Sequence, residues 1–234
     1  MLHAFNQKNV RRILAAGIHG QQAEEHVNEK NEDGVTSMVF SPLVFMPTAS
    51  ALEVLLAVIG NRLRAALRGR EVVNHDIQFW PGGLRTTNWQ GGRDSRCEPD
   101  VLIRLTFTEG RPLTLIGEMK WDWLISAEHL SDEIQRQRSA VRMAEPDAEQ
   151  LVFAITKLRA TRPPEGTELR NWIQVERNAR QLERNSADLV AARWGALVST
   201  FLRKAKQASF QGFHSSELET LHTSTPVFWT KANG

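Results

Sequence analysis

The residues best suited to chemistry stand in one short stretch: Pro99-Asp100, seventeen intervening residues, then Glu118-Met119-Lys120. Side chains alternate faces along a strand, so Glu118 and Lys120 project to one side and Met119 enters the opposite packing layer. Whether Asp100 joins them depends on how residues 101–107 and 113–121, which read as two strands, pair as a hairpin. A three-residue loop, Thr108-Glu109-Gly110, with glycine in the left-handed third position makes Phe107 face Arg111. Paired positions then sum to 218 and Asp100 lies opposite Glu118. A two-residue turn at Glu109-Gly110 instead pairs Asp100 with Met119 and turns it to the wrong face. In the first register two carboxylates and an ammonium share a face among the apolar residues Val101, Ile103, Leu115 and Ile116. Two carboxylates this close repel and raise one pKa unless a cation sits between them. A hard divalent ion bound by oxygen resolves the conflict, with the Met119 backbone carbonyl as an additional ligand. The reading without chemistry is a solvated strand face carrying an exposed ion pair, worth ~0–1 kcal/mol.

The elements around this stretch follow from changes of hydrophobic period. From residue 31 to about residue 68, Val35, Met38, Val39, Leu43, Leu52, Leu55, Leu56, Ile59 and Leu63 recur at three- and four-residue spacing, which reads as helix interrupted near Pro47. An extended run follows at residues 76–80. Pro81, Gly82, Gly83, Gly91 and Gly92 then imply a long loop. After the hairpin, residues 127–143 read as a polar-faced helix ended by Pro146, and residues 151–155 as an apolar strand. Pro163, Pro164 and Gly166 mark a boundary. Beyond it residues 169–208 read as mostly helical, with Leu182, Leu189, Val190, Trp194, Leu197, Val198 and Phe201 as the buried stripe. A final short strand is expected at residues 226–230. The order is that of a mixed α/β domain with a carboxy-terminal helical addition.

Composition sets the outer bounds. The 234 residues are 41% hydrophobic and 24% charged, near globular averages, so disorder and collagen-like or coiled-coil rods are excluded. No apolar run approaches the ~18–20 residues of a membrane helix, and Asn6, Gln7 and Lys8 leave no apolar block of signal-peptide length after Phe5. With Cys97 as the sole cysteine there is no intrachain disulfide and no zinc site of two or more thiolates, so a reducing, cytoplasmic setting is expected. The net charge of +2 does not mark the whole chain as a polyanion binder. Phosphate-loop, Gly-x-Ser-x-Gly and paired-histidine motifs are absent, and the seven histidines, His19, His75 and His129 among them, are scattered.

Pro-Asp, a hairpin, then Glu-x-Lys resembles the PD-(D/E)xK nuclease superfamily, the fold of many restriction endonucleases, over roughly residues 31–156. The resemblance implies a restriction-endonuclease-like mixed β-sheet flanked by helices. It assigns Asp100 and Glu118 as Mg2+ ligands, with Mn2+ able to substitute, and Lys120 as the group that orients or activates water and offsets phosphate charge. The family also supplies a glutamate from the helix before the first strand. Glu32-Asp33-Gly34-Val35-Thr36-Ser37 is similar to that element, so the third ligand role falls to Glu32, with Asp33 as its competitor. Acids near a helix start are also favoured by its dipole alone, by ~0.3–1 kcal/mol. Some members place a glutamine in the next helix, for which Gln135 and Gln137 are the candidates; without any tyrosine, the Gln-x-x-x-Tyr variant is absent.

The expected organisation is an amino-terminal helical segment over residues 1–30, a nuclease core over 31–160, and a helical extension over 161–234 packed on that core. Arginines cluster at Arg62, Arg64, Arg68 and Arg70, at Arg85, Arg93 and Arg96, and at Arg136, Arg138 and Arg142; Arg203, Lys204 and Lys206 form a fourth basic group. The second cluster shares the glycine-rich loop with Trp80, Asn88, Trp89 and Gln90, and Arg85, Trp89, Arg93 and Arg96 are the expected nucleic-acid contacts. The expected function is a metal-dependent DNA endonuclease without membrane contact, with defence of a bacterium against foreign DNA as the setting implied by the resemblance. The alternative is a non-catalytic nuclease-fold scaffold, with the carboxy-terminal helix open to a homodimer contact or a partner protein.

Overall fold

The computed structural model describes residues 27–89, 93–121, 126–157 and 165–205. Helix α1 (Val27–Phe40) leads through a 3-10 turn, Ser41–Phe45, into α2 (Thr48–Val58) and the short α3 (Asn61–Ala66). The interruption expected near Pro47 falls at that residue, which stands at the N-cap of α2. Strand β1 (Val72–Phe79) follows, then β2 (Arg85–Trp89), β3 (Arg93–Arg96), β4 (Val101–Phe107) and β5 (Leu113–Met119). Helix α4 (Ala127–Ala144), β6 (Glu149–Thr156), β7 (Thr167–Asn171), α5 (Trp172–Asn185) and α6 (Leu189–Lys204) complete the described chain.

Strands β1, β4, β5, β6 and β7 form one sheet in that spatial order. The β1, β4 and β5 pairings are antiparallel; β5, β6 and β7 run parallel. Strand β5, buried along its whole length, lies at the centre, as expected of a strand covered on both faces. Odd-numbered residues of β4, β5 and β6, such as Ile103, Leu115 and Phe153, pack with α1, α2, α5 and α6. Even-numbered ones, Leu102, Ile116, Val152 and Ala154, pack with Leu130, Ile134 and Val141 of α4. The architecture is a mixed five-stranded sheet with helices on both faces, and among the described residues no helix is long and apolar enough to cross a membrane.

Three expectations change. The loop between β1 and β4 contains an antiparallel ribbon, β2 with β3; Thr86, Thr87 and Trp89 favour extended backbone and Gly91-Gly92 separate the two runs. The helical extension begins with a strand, because β7 finds backbone partners along β6, so the main sheet crosses the boundary expected near residue 160. On α6, Trp194 Nε1 donates to the Val39 carbonyl at 2.9 Å and fixes the helix's rotation. Ala191, Trp194, Val198 and Leu202 therefore turn inward, and Leu189, Val190 and Leu197, expected in the stripe, are exposed. The amino-terminal segment before Val27, the strand expected at 226–230 and Lys206 lie outside the described residues.

Candidate active site

Strands β4 and β5 pair Val101 with Gly117, Leu102 with Ile116 and Leu105 with Leu113, the register whose positions sum to 218. Gly110 adopts φ +91° in the connection, the left-handed geometry that the three-residue loop requires. Continued by one residue, this register sets Asp100 opposite Glu118. Both side chains are buried, on the α4 face of the sheet, as is Lys120.

Asp100 is held by two donors. Its Oδ2 accepts the Met119 backbone N–H at 2.7 Å and its Oδ1 accepts Trp80 Nε1 at 3.1 Å. Trp80 also donates its backbone N–H to the Asp100 carbonyl at 3.2 Å and sits at φ +44°, an unfavourable region for a bulky residue. Its ring is buried, so it serves this contact and offers no stacking surface to a nucleic acid. Beside Glu118, Gly117 admits the Phe153 ring: a Cβ there would collide with Phe153 Cζ.

Glu118 meets two cations or donors in turn. Lys120 Nζ lies 2.5 Å from its Oε1, and Gln137 Nε2 of α4 donates to its Oε2 at 2.6 Å. The other Gln137 atom, Oε1, is buried without a hydrogen-bond partner among the described residues. Lys120 Nζ also lies 3.6 Å from Glu32 Oε1 and 3.7 Å from Glu133 Oε2. Backbone bonds fix its position, with Lys120 N–H donating to the Ile155 carbonyl at 2.8 Å and Trp172 Nε1 donating to the Lys120 carbonyl at 3.0 Å. Glu32 sits in the second turn of α1, not at its start as expected, and its Oε2 accepts the Trp121 N–H at 3.0 Å. Helix α1, the β4–β5 hairpin and α4 thus converge on one ammonium.

The charges are unbalanced. Burial, then the neighbouring Asp100, pushes the Glu118 carboxyl well above the usual carboxylate range. Burial alone would weaken the Lys120 ammonium, but Glu118, Glu32, Glu133 and Asp100 outweigh it and hold the group protonated. Glu32 is also raised, by burial against the opposing pull of Lys120. Burial pushes the Cys97 thiol up, which disfavours a thiolate nucleophile.

Four carboxylates around one lysine make an oxygen-rich, anionic setting suited to a hard cation. Among the described residues no group of three or more His, Cys, Asp and Glu side chains is gathered as a ready ligand cluster. Glu32, expected as the third ligand, reaches the cluster through Lys120 and Trp121 instead. The remaining donors are Asp100, Glu118 and the Met119 carbonyl, which by strand geometry points to the same side as the N–H bound by Asp100. Mg2+ is commonly held by one or two carboxylates with water completing its shell, so this donor set fits it.

Of the other expected residues, Gln137 enters the site and Gln135 does not; Gln135 is exposed and bonds Ser131 Oγ at 3.4 Å. Asp33 neighbours Glu32 and adds to its raised pKa, while the carboxylate that reaches Lys120 is that of Glu32. Arg85 and Arg96 are exposed on the ribbon; the side chains of Trp89 and Arg93 lie outside the described residues. Sequence reading missed Trp80 and Glu133. Glu133 had a signal, standing one helical turn before Gln137 and so on the same face of α4. No protein-family model, curated protein or solved structure matches the chain.

Proposed function

We propose that this chain is a metal-dependent phosphodiesterase with the restriction-endonuclease-like fold of the PD-(D/E)xK superfamily, acting on DNA as an endonuclease. The observation that carries the reading is the pairing of Asp100 with Glu118 on one buried face, with Lys120 Nζ 2.5 Å from Glu118 Oε1. Asp100, Glu118 and the Met119 carbonyl would hold Mg2+ or Mn2+. A bound divalent ion supplies a water of lowered pKa and stabilises charge developing on the phosphate. Lys120, kept as an ammonium, donates hydrogen bonds to the attacking water or to a non-bridging phosphate oxygen; its charge state argues against service as a general base. Glu32 and Glu133 hold that ammonium in place. Gln137 orients Glu118. In the reaction the water oxygen bonds phosphorus, one P–O ester bond breaks, and the leaving oxygen takes up a proton.

Calorimetric titration with Mg2+ and with Mn2+ tests the reading. The wild type is expected to bind, and Asp100→Asn to bind markedly more weakly. Absence of any binding heat with either ion in the wild type, over several temperatures, contradicts it.

A further inference from the structure

The ribbon β2–β3 carries an arrangement that its own stability does not explain. Arg85 and Arg96 are directly paired across its two strands. Opposite residues of an antiparallel pair share a face with Cα atoms ~4.5–5.5 Å apart, and like charges so placed repel. Both arginines are exposed, and no carboxylate among the described residues pairs with either. The adjacent residue Thr86 is fully buried, so the ribbon presents one face to the protein and the arginine face to solvent. The base of the ribbon is fixed: Cys97 N–H donates to the Leu84 carbonyl at 3.0 Å, Leu84 packs on the cluster of Leu102, Ile116 and Ile134, and β2 rests on α4. The ladder thus sets two arginines side by side on a fixed base, from which both guanidinium forks can reach one bridging phosphate oxyanion.

The ribbon leads directly into the site. Arg96 precedes Asp100 by four residues, so their Cα atoms are at most ~14 Å apart. At ~3.4 Å of axial rise per base pair, that reach corresponds to at most about four base pairs measured along the duplex axis. The aromatic residue at the ribbon's entry, Trp80, is buried against Asp100 and unable to stack on bases. What the described residues offer here is phosphate contact rather than base contact, the mode by which a duplex is gripped from outside.

We propose that Arg85 and Arg96 clamp a backbone phosphate of duplex DNA flanking the phosphate at Asp100 and Glu118, so that the site acts on polymer and not on isolated diesters alone. The inference rests on the nuclease reading above and specifies its substrate.

The test compares wild type with the Arg85→Ala/Arg96→Ala variant. Binding of a fluorescent 20-base-pair duplex is followed by anisotropy in Ca2+ from 50 to 200 mM salt, and turnover of bis(4-nitrophenyl) phosphate is followed in Mn2+. Each lost phosphate contact lowers the slope of log affinity against log salt by roughly 0.9 on duplex DNA, so with one clamped phosphate lost the variant's slope should flatten by about 0.9. Its turnover of the small diester should match wild type, and its melting temperature should be unchanged or higher, since a repulsive pair has been removed. Arg85→Lys/Arg96→Lys should keep most of the slope. An unchanged slope overturns the clamp, as does a matching loss of small-diester turnover, which would put the arginines at the reacting phosphate. A larger effect on a single-stranded 20-mer than on the duplex overturns the duplex assignment. If wild type in Mn2+ neither turns over the small diester nor cuts the 20-base-pair duplex, yet the slope difference persists, the clamp stands and the nuclease reading falls.

Discussion

Asp100 Oδ2 accepts the backbone N–H of Met119 at 2.7 Å, so a carboxylate takes the place that a backbone carbonyl fills elsewhere in the β4–β5 ladder. The other oxygen faces Trp80 Nε1, also a donor. The charge of Asp100 is therefore fixed in position by acceptor geometry before any ligand arrives.

An asparagine at this position has only one acceptor oxygen for two donors. Asp100→Asn should leave one buried N–H facing an NH2 group, a loss of ~1–3 kcal/mol in metal-free protein. Urea unfolding in EDTA checks this; a variant as stable as wild type would mean the Trp80 and Met119 contacts do not hold Asp100.

Glu118 should respond in the opposite sense. Its folded pKa is raised, so the ionised form weakens the fold; the penalty is absent below the unfolded pKa and is full once pH exceeds the folded pKa. Glu118→Gln should thus be more stable than wild type at pH 7, by on the order of 1 kcal/mol, with the difference shrinking as pH falls toward the ordinary carboxylate range. The Gln137 amide can turn to present its free Oε1 to the new NH2 group. Unfolding curves from pH 4 to 8 measure the trend, and a pH-independent difference would refute it.

Lys120 neutralises more than one neighbour. Its raised pKa places its stabilising contribution fully below the unfolded lysine value, with loss only as pH rises through the higher folded value, so the contribution is complete at pH 7. Lys120→Ala should lower stability by ~3–5 kcal/mol in EDTA, the range for breaking a buried pair on one side. Mg2+ should raise its melting temperature by more than it raises that of wild type. Equal shifts in the two proteins would show that the lysine and the ion do not compensate the same charge.

Gly117→Ala should act through packing. The new methyl group meets the Phe153 ring, an overpacking cost of typically ~1–3 kcal/mol. Denaturant midpoints measure it, and Gly117→Ala/Phe153→Leu should recover part of the loss.

How far the sequence was legible depends on whether a signal was local. The hairpin register was, because Gly110 sets the loop and two residues of alternation bring Glu118 and Lys120 to one face. The ribbon was not: Arg85, Thr86 and Thr87 carry no apolar alternation, and Gly91-Gly92 read as an extended loop. Strand β7 was hidden for the same reason, since Glu168 and Arg170 pair with each other at 3.0 Å on a strand defined by its partner β6. Trp80 and Glu32 reach Asp100 and Trp121 across 20 and 89 residues, separations at which spacing says nothing about contact.

The most direct test of the central claim is cleavage itself. Circular and linear duplex DNA are incubated with wild type and with Lys120→Ala, the variant in Mg2+ at a temperature where the ion keeps it folded, and wild type in Mg2+, Mn2+ and EDTA. The account predicts cutting of both forms by wild type with either ion, none in EDTA and none by the variant. Intact DNA with wild type under every ion, or equal cutting by Lys120→Ala, would contradict it.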